Sequence, residues 1–144
     1  MDLLLQVKLP VIFENLTQFI ESVSDCARAQ GFGQKRVSQI ELAMDEVIAN
    51  IVNYSYPDKS GDAEVVCSID DKNRFVIEIM DWGVPFNVLS LDDPDLVSDI
   101  SERKVGGLGV FMIREFMDDV KYRFEDNKNI LTLIANKASG DDSE

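Results

Sequence analysis

The chain has no histidine. That absence removes a Ser-His-Asp or Cys-His triad, a zinc site built on imidazole, and a phosphohistidine on this chain. Any metal would be held mainly by oxygen ligands, which points to magnesium, calcium or manganese. Cysteine is scarce as well. Cys26 and Cys67 are the only two, far apart in sequence and in no metal or redox spacing, and they read as small apolar residues kept reduced. Long apolar runs are missing too, since none approaches the roughly 18 residues of a membrane span. The start, Met1-Asp2-Leu3-Leu4-Leu5, lacks the basic region and small-residue cleavage site of a signal peptide, so the expected location is the cytoplasm. Basic residues are few, 14 Lys plus Arg against 27 Asp plus Glu, for a net charge of −13. This argues against a direct nucleic-acid partner, because neutralising phosphates requires a basic face. An acidic surface aids solubility and disfavours acidic partners.

What is present is an ordinary globular composition, 45% apolar and 28% charged over 144 residues. A chain of this length buries roughly 68–70% of the surface its unfolded form exposes, so it needs no staple to fold. One domain is expected over residues 1–137, followed by a polar, disordered tail at 138–144.

Alternation predicts a strand over 3–9, with Leu3, Leu5, Val7 and Leu9 on one side and Pro10 as its stop. Helical spacing of Leu16, Phe19, Ile20, Val23, Cys26 and Ala27 predicts a helix over 14–30, ended by Gly31-Phe32-Gly33. The stripe Val37, Ile40, Met44, Val47, Ile48 and Ile51 predicts a second helix over 35–54. Strands are expected at 63–69 and 74–80, joined by Asp70-Asp71-Lys72-Asn73 as a hairpin. A segment at 82–105, rich in acids and containing Pro85 and Pro94, is read as a functional loop. A helix is expected from Gly106 to about Met117, then strands at 119–125 and 129–136 around Asp126-Asn127-Lys128. The layout implies an α+β (α/β) two-layer sandwich, a mixed but mainly antiparallel sheet with its helices on one face.

Three places carry chemistry. Glu46 and Asn50 stand four residues apart and, at about 100° per residue, project from nearly the same side as Asn53, opposite the apolar stripe. They form either a solvated polar face or a site for a hydroxyl and a magnesium ion. Asp81-Trp82-Gly83-Val84-Pro85-Phe86 follows a strand. It is either an ordinary turn or an acid that accepts a hydrogen bond from an exocyclic amine such as adenine's, beside a glycine that lets a flat ring approach. Gly106-Gly107-Leu108-Gly109 opens a helix and is either a hinge or a phosphate cradle of unpaired N–H groups.

The segments DEVIANIVNYSYP (45–57), DWGVPFN (81–87) and GGLGVFMIREFMDDVKY (106–122) resemble, in order and spacing across essentially the whole chain, the three nucleotide-binding boxes of the GHKL ATPase superfamily. More narrowly they are similar to the anti-sigma factor serine/threonine kinases of bacterial partner-switching systems. The resemblance implies the histidine-kinase-type ATPase (Bergerat) fold, with ATP and Mg2+ as ligands. It makes Asn50 the magnesium ligand and Glu46 the catalytic base. Asp81 and Gly83 would take the adenine, and Gly106, Gly107, Leu108 and Gly109 the phosphates. Residues 87–105 would form the lid, with Arg103 or Lys104 near the terminal phosphate, or else as solvated lid charges. Two departures stand out: Tyr54 occupies a position where many relatives carry histidine, and the lid is acidic (Asp92, Asp93, Asp95, Asp99, Glu102).

The implied function is a protein serine/threonine kinase and anti-sigma factor. It would bind a sigma factor or related regulator and phosphorylate a small antagonist protein, with homodimerisation expected from the resemblance alone. The alternative is a catalytically silent module whose partner affinity depends on bound nucleotide. An interaction domain that has lost ATP is a third reading, disfavoured by Asn50, Asp81 and the glycine turn.

Overall fold

The structure is a computed structural model and describes residues 2–56, 61–90 and 107–137. Arg103, Lys104, Gly106, most of the expected lid and the 138–144 tail lie outside the described residues. Five strands and three helices are described: β1 (Asp2–Pro10), α1 (Phe13–Ala29), α2 (Gln34–Asn50), β2 (Asp62–Ile69), β3 (Phe75–Asp81), α3 (Gly107–Phe116), β4 (Asp119–Glu125) and β5 (Lys128–Ala135). A five-residue π-helical turn, Ile51–Ser55, continues from α2, and a 3₁₀ turn covers Val88–Ser90.

The strands form one sheet in the order β1-β2-β3-β5-β4, and every pairing is antiparallel. Alternation sends Val65, Cys67, Ile77, Ile79, Leu131 and Leu133 to one face, where they join Phe19, Val23, Ile40, Met44, Val47 and Ile113 of the helices in one core. The two-layer arrangement expected from the sequence is the observed one.

One local expectation needs correcting. A bulge between Leu3 and Leu5 lets Leu4 and Leu5 both pack on the core, and Leu3 is left 63% exposed, opposite Ser68. Pro10 ends β1 as expected, as its last residue and paired with Asp62. Because β1 is an edge strand, the missing N–H costs no ladder bond there.

The turns follow their residues. Gly31 takes φ +97° after α1, with its N–H bonded to the Arg28 carbonyl and that of Phe32 to Ala27. This is the double closure that glycine permits at a helix end. Asp126 and Asn127, at φ 55° and 64°, make the tight turn between β4 and β5, which requires left-handed residues. The placement of α3 depends on Arg36 of α2, which donates to the Phe116 carbonyl at the end of α3 and pairs with Asp118 at 2.7 Å. The same Asp118 oxygen accepts the Asn136 N–H at 2.7 Å, so α2, α3 and the end of β5 are tied at one carboxylate. No helix among the described residues is long and apolar enough to cross a membrane.

Candidate functional site

The stripe that buries α2 also determines where its polar residues stand. Val47 and Asn50 line one cavity, together with Ile51, Ser55, Asp81 and Asn129. Asn50 therefore borders the apolar stripe rather than opposing it, and it is 4% exposed. Its Nδ2 atom has no hydrogen-bond partner, so one end of a buried carboxamide is left for something outside the protein. Rotation of the amide presents its oxygen at that end instead. Asn53 does not join this group. The wider π turn carries it to a different groove, with Ile12, Phe13, Ala49 and Val52.

Glu46 lies one turn before Asn50 and is half-buried. Its carboxyl is pushed above the usual carboxylate range, first by burial and then by the negative charge of Asp45. The first turn of α3 crosses close to it. A Cβ placed on Gly109 would stand 2.1 Å from Glu46 Oε1, so any larger residue there would have to push that carboxyl aside. The N–H groups of this first turn have no partner within the helix.

Asp81 ends β3 and is 3% exposed. Burial raises its pKa, against the opposing effect of three donors. Oδ1 accepts Asn129 Nδ2 at 2.9 Å and the Gly83 N–H at 2.9 Å, and Oδ2 accepts the Ser55 hydroxyl at 3.2 Å. A carboxylate has about four acceptor positions, so one remains on Oδ2 for a donor entering the cavity. Gly83 allows a close approach, but its immediate neighbour is protein. An added Cβ would lie 2.1 Å from the Ser55 carbonyl oxygen, and Val84 N–H donates to that oxygen at 2.9 Å.

Asn129, Ser55, Phe86 and Tyr122 were missed by sequence reasoning. Asn129 is directly opposite Asp81 in the β3–β5 register. Its amide donates to Asp81 and to the Val84 carbonyl, and its oxygen accepts the Phe86 N–H and the Tyr122 hydroxyl. All four of its hydrogen-bonding positions are used. The available signal was the tight turn at 126–127, which places the first residues of β5 beside the end of a central strand. Phe86 stacks on Tyr54 with centroids 4.5 Å apart at 18°, and it lines a cavity of about 30 Å³. That space holds a water molecule rather than a purine ring.

The structure thus brings Asn50 and Asp81 to one cavity, joins the Gly83 N–H to Asp81, and sets Gly109 against Glu46 one turn before Asn50. Gly107 opens α3, and Leu108 lies in its first turn. Arg103, Lys104 and Gly106 are outside the described residues.

A family profile described as histidine kinase-like ATPase domain matches residues 9–135. The serine-protein kinase RsbW of Bacillus cereus (strain AH820) is 25% identical over 131 residues, 88% of this chain and 81% of that protein. Its counterpart in Bacillus thuringiensis (strain Al Hakam) is 24% identical over the same share. Among solved structures, the RsbU and RsbW domains of a Mycobacterium tuberculosis protein superpose with a TM-score of 0.62 at 13% identity, over 92% of this chain and 32% of that one. The chain therefore spans about a third of that longer polypeptide. The SiaB–SiaC complex from Pseudomonas aeruginosa gives 0.60 at 15% identity, over 93% of this chain and 90% of the matched one. A histidine kinase domain from Erythrobacter litoralis gives 0.54 at 13%, over 84% and 60%. At these identities the solved structures speak for the fold.

Proposed function

This chain belongs to the histidine kinase-like ATPase domain family, and on that premise we propose that it is an ATP-dependent protein serine/threonine kinase of the partner-switching type. It binds a sigma factor or related regulator in one state and phosphorylates a small antagonist protein in the other. The observation that carries this reading is the buried Asn50 carboxamide with one unpartnered end, one turn from Glu46 and lining the same cavity as Asp81. The names of the relatives, serine-protein kinases, support the reaction class.

The donor set suits magnesium. No group of three or more carboxylates or cysteines that could hold a metal occurs among the described residues. Magnesium in phosphoryl-transfer sites commonly takes one or two protein oxygens and completes its shell with phosphates and water, a mode that a single Asn50 oxygen serves. When bound, the ion neutralises charge on the phosphate oxygens.

The chain's own residues do the rest. Asp81, fixed by Asn129, Gly83 and Ser55, accepts the amine of the base on its remaining Oδ2 position and so sets the nucleotide's direction. The unpaired N–H groups of the α3 first turn, beginning at Gly107, face the phosphates. Glu46 accepts the proton of the incoming serine or threonine hydroxyl. A carboxyl raised by burial is a better base near neutral pH than a free one.

The test is calorimetric titration of Mg-ATP, followed by transfer of labelled γ-phosphate to small candidate antagonists. Asn50→Ala loses magnesium-dependent binding. Glu46→Ala keeps binding and loses transfer by at least the 10²-fold typical of a missing base. Transfer by Glu46→Ala at the wild-type rate removes Glu46 from the role of base. Nucleotide-dependent partner binding with no label transferred establishes the second reading, a silent module.

A further inference from the structure

The turn that follows Asp81 is held by a residue outside the cavity. Three successive backbone N–H groups leave that turn, and each has its own acceptor. Trp82 N–H donates to the Tyr56 hydroxyl at 2.8 Å, Gly83 N–H to Asp81 Oδ1 at 2.9 Å, and Val84 N–H to the Ser55 carbonyl at 2.9 Å. Two of the three acceptors thus belong to Ser55 and Tyr56, where the π turn ends. The Tyr56 hydroxyl donates in its turn to the Asp62 carbonyl at 2.8 Å, at the first residue of β2. The next residue, Ala63, stands opposite Asp81 in the β2–β3 register. Tyr56 is 8% exposed and does not line the cavity that Asn50 and Asp81 share.

We propose that Tyr56 is a positioning residue for base recognition: its hydroxyl fixes the peptide between Asp81 and Trp82, and through it the Gly83 N–H that holds Asp81 Oδ1. The proposal rests on the reading of Asp81 as the acceptor of the base amine. Peptide planarity carries the effect. The Trp82 N–H lies in the plane that begins at Asp81, and the next plane bears the Gly83 N–H. Tyr56 fixes the first plane and Ser55 the third N–H, so the middle N–H is held toward the carboxylate. Gly61 makes room for the phenol, since a Cβ there would stand 2.2 Å from Tyr56 Cε1. The Trp82 side chain is engaged separately, with Lys8 Nζ 4.5 Å from its ring centroid. Loss of the Tyr56 hydroxyl therefore frees the peptide and leaves the ring contact in place.

A residue with this task acts on one part of the ligand only. Tyr56→Phe keeps the ring against Gly61 and removes a single oxygen, which leaves the Trp82 N–H and the Asp62 carbonyl each without that partner. The carboxylate of Asp81 is then less firmly aimed, and a nucleotide is penalised only in so far as it donates to that carboxylate. A base that lacks the amine makes no such bond and loses nothing. A purely structural tyrosine would behave differently, because a loosened fold weakens every nucleotide alike.

The experiment titrates wild type and Tyr56→Phe, as full chains, with Mg-ATP and with the magnesium complex of purine riboside triphosphate, which is ATP without the exocyclic amine. Tyr56→Phe should weaken ATP roughly two- to tenfold, the worth of one neutral hydrogen bond, and leave the amine-free nucleotide unchanged. Trp82, the chain's one tryptophan, should become more open to acrylamide quenching without any nucleotide present. Circular dichroism reports whether the variant folds. If it does not, Gly61→Ala replaces it, with the same result expected because its Cβ displaces the phenol. Equal loss for both nucleotides would make Tyr56 a structural residue only and overturn the proposal. So would unchanged affinity for ATP, or quenching of Trp82 as in wild type. A wild type that binds neither nucleotide, or binds both alike, overturns instead the reading of Asp81 on which the proposal rests, and the proposal falls with it.

Discussion

Asp81 combines two demands that conflict. Burial disfavours its charge, yet that charge is what makes it a strong acceptor for a base amine. Three donors offset part of the cost, and the net direction is still upward. A carboxyl whose folded pKa is raised contributes stability below its unfolded pKa of about 3.9 and loses it as pH rises through the folded value. Asp81→Asn removes that dependence and can keep the network, because Oδ1 still serves Asn129 and Gly83 while the new amide donates to the Ser55 oxygen. Thermal unfolding from pH 4 to pH 8 should therefore show the wild type losing ground to Asp81→Asn as pH rises. Mg-ATP binding by the variant should weaken roughly ten- to a hundredfold, the worth of a hydrogen bond to a charged group. A variant less stable at pH 8 than at pH 4, relative to wild type, would show that the donors outweigh burial. Asp81 itself was legible because an Asp-x-Gly turn after a strand is a local pattern. Asn129 was not: it resembles any polar residue after a tight turn, and its role comes from the β3–β5 register.

At the scale of elements, periodicity was a good guide wherever one face was buried. It located α1, α2 and the strands to within a few residues, and the turn residues located the hairpins. It failed where an element changes character without changing its hydrophobic pattern. Ile51 continues the α2 stripe, so nothing local signals that the helix widens at Ile51–Ser55 into a π turn, a distortion frequent at functional sites. The widening moves Asn53 away, places the Ser55 hydroxyl on Asp81 and its carbonyl on Val84, and presents Tyr54 to Phe86. Phe86, which lines the cavity, is held in that stack, and nucleotide entry is expected to carry the cost of parting the two rings. An aromatic pair is worth about 0.5–1.5 kcal/mol, which converts to a roughly two- to tenfold reduction in apparent affinity. Tyr54→Leu should recover that factor in Mg-ATP titrations and raise the association rate in stopped-flow measurements. Unchanged kinetics would mean that the rings open without limiting entry.

For the whole molecule, two electrostatic effects oppose each other. Seven ion pairs are present among the described residues, and salt weakens each. Against them stands a net charge of −13, whose self-repulsion destabilises the compact state and which salt relieves. Magnitudes decide the sign. Most of the pairs are surface pairs, worth about 0–1 kcal/mol apiece, and the Arg36–Asp118 contact is the one whose arginine is well buried, at 12% exposure. The repulsion, by contrast, acts among all the excess carboxylates, and at about 0.01 M salt the screening length of roughly 30 Å reaches across a domain of this size. Raising sodium chloride from about 0.01 M to 0.15 M shortens that length to roughly 8 Å and should raise the thermal midpoint by roughly 3–5 °C, the equivalent of about 1 kcal/mol. Arg36→Ala should lower the midpoint at both salt concentrations while leaving the salt-induced rise in place, because the rise belongs to the whole charge distribution and not to that pair. A midpoint that falls with salt would mean that the local pairs outweigh the global field.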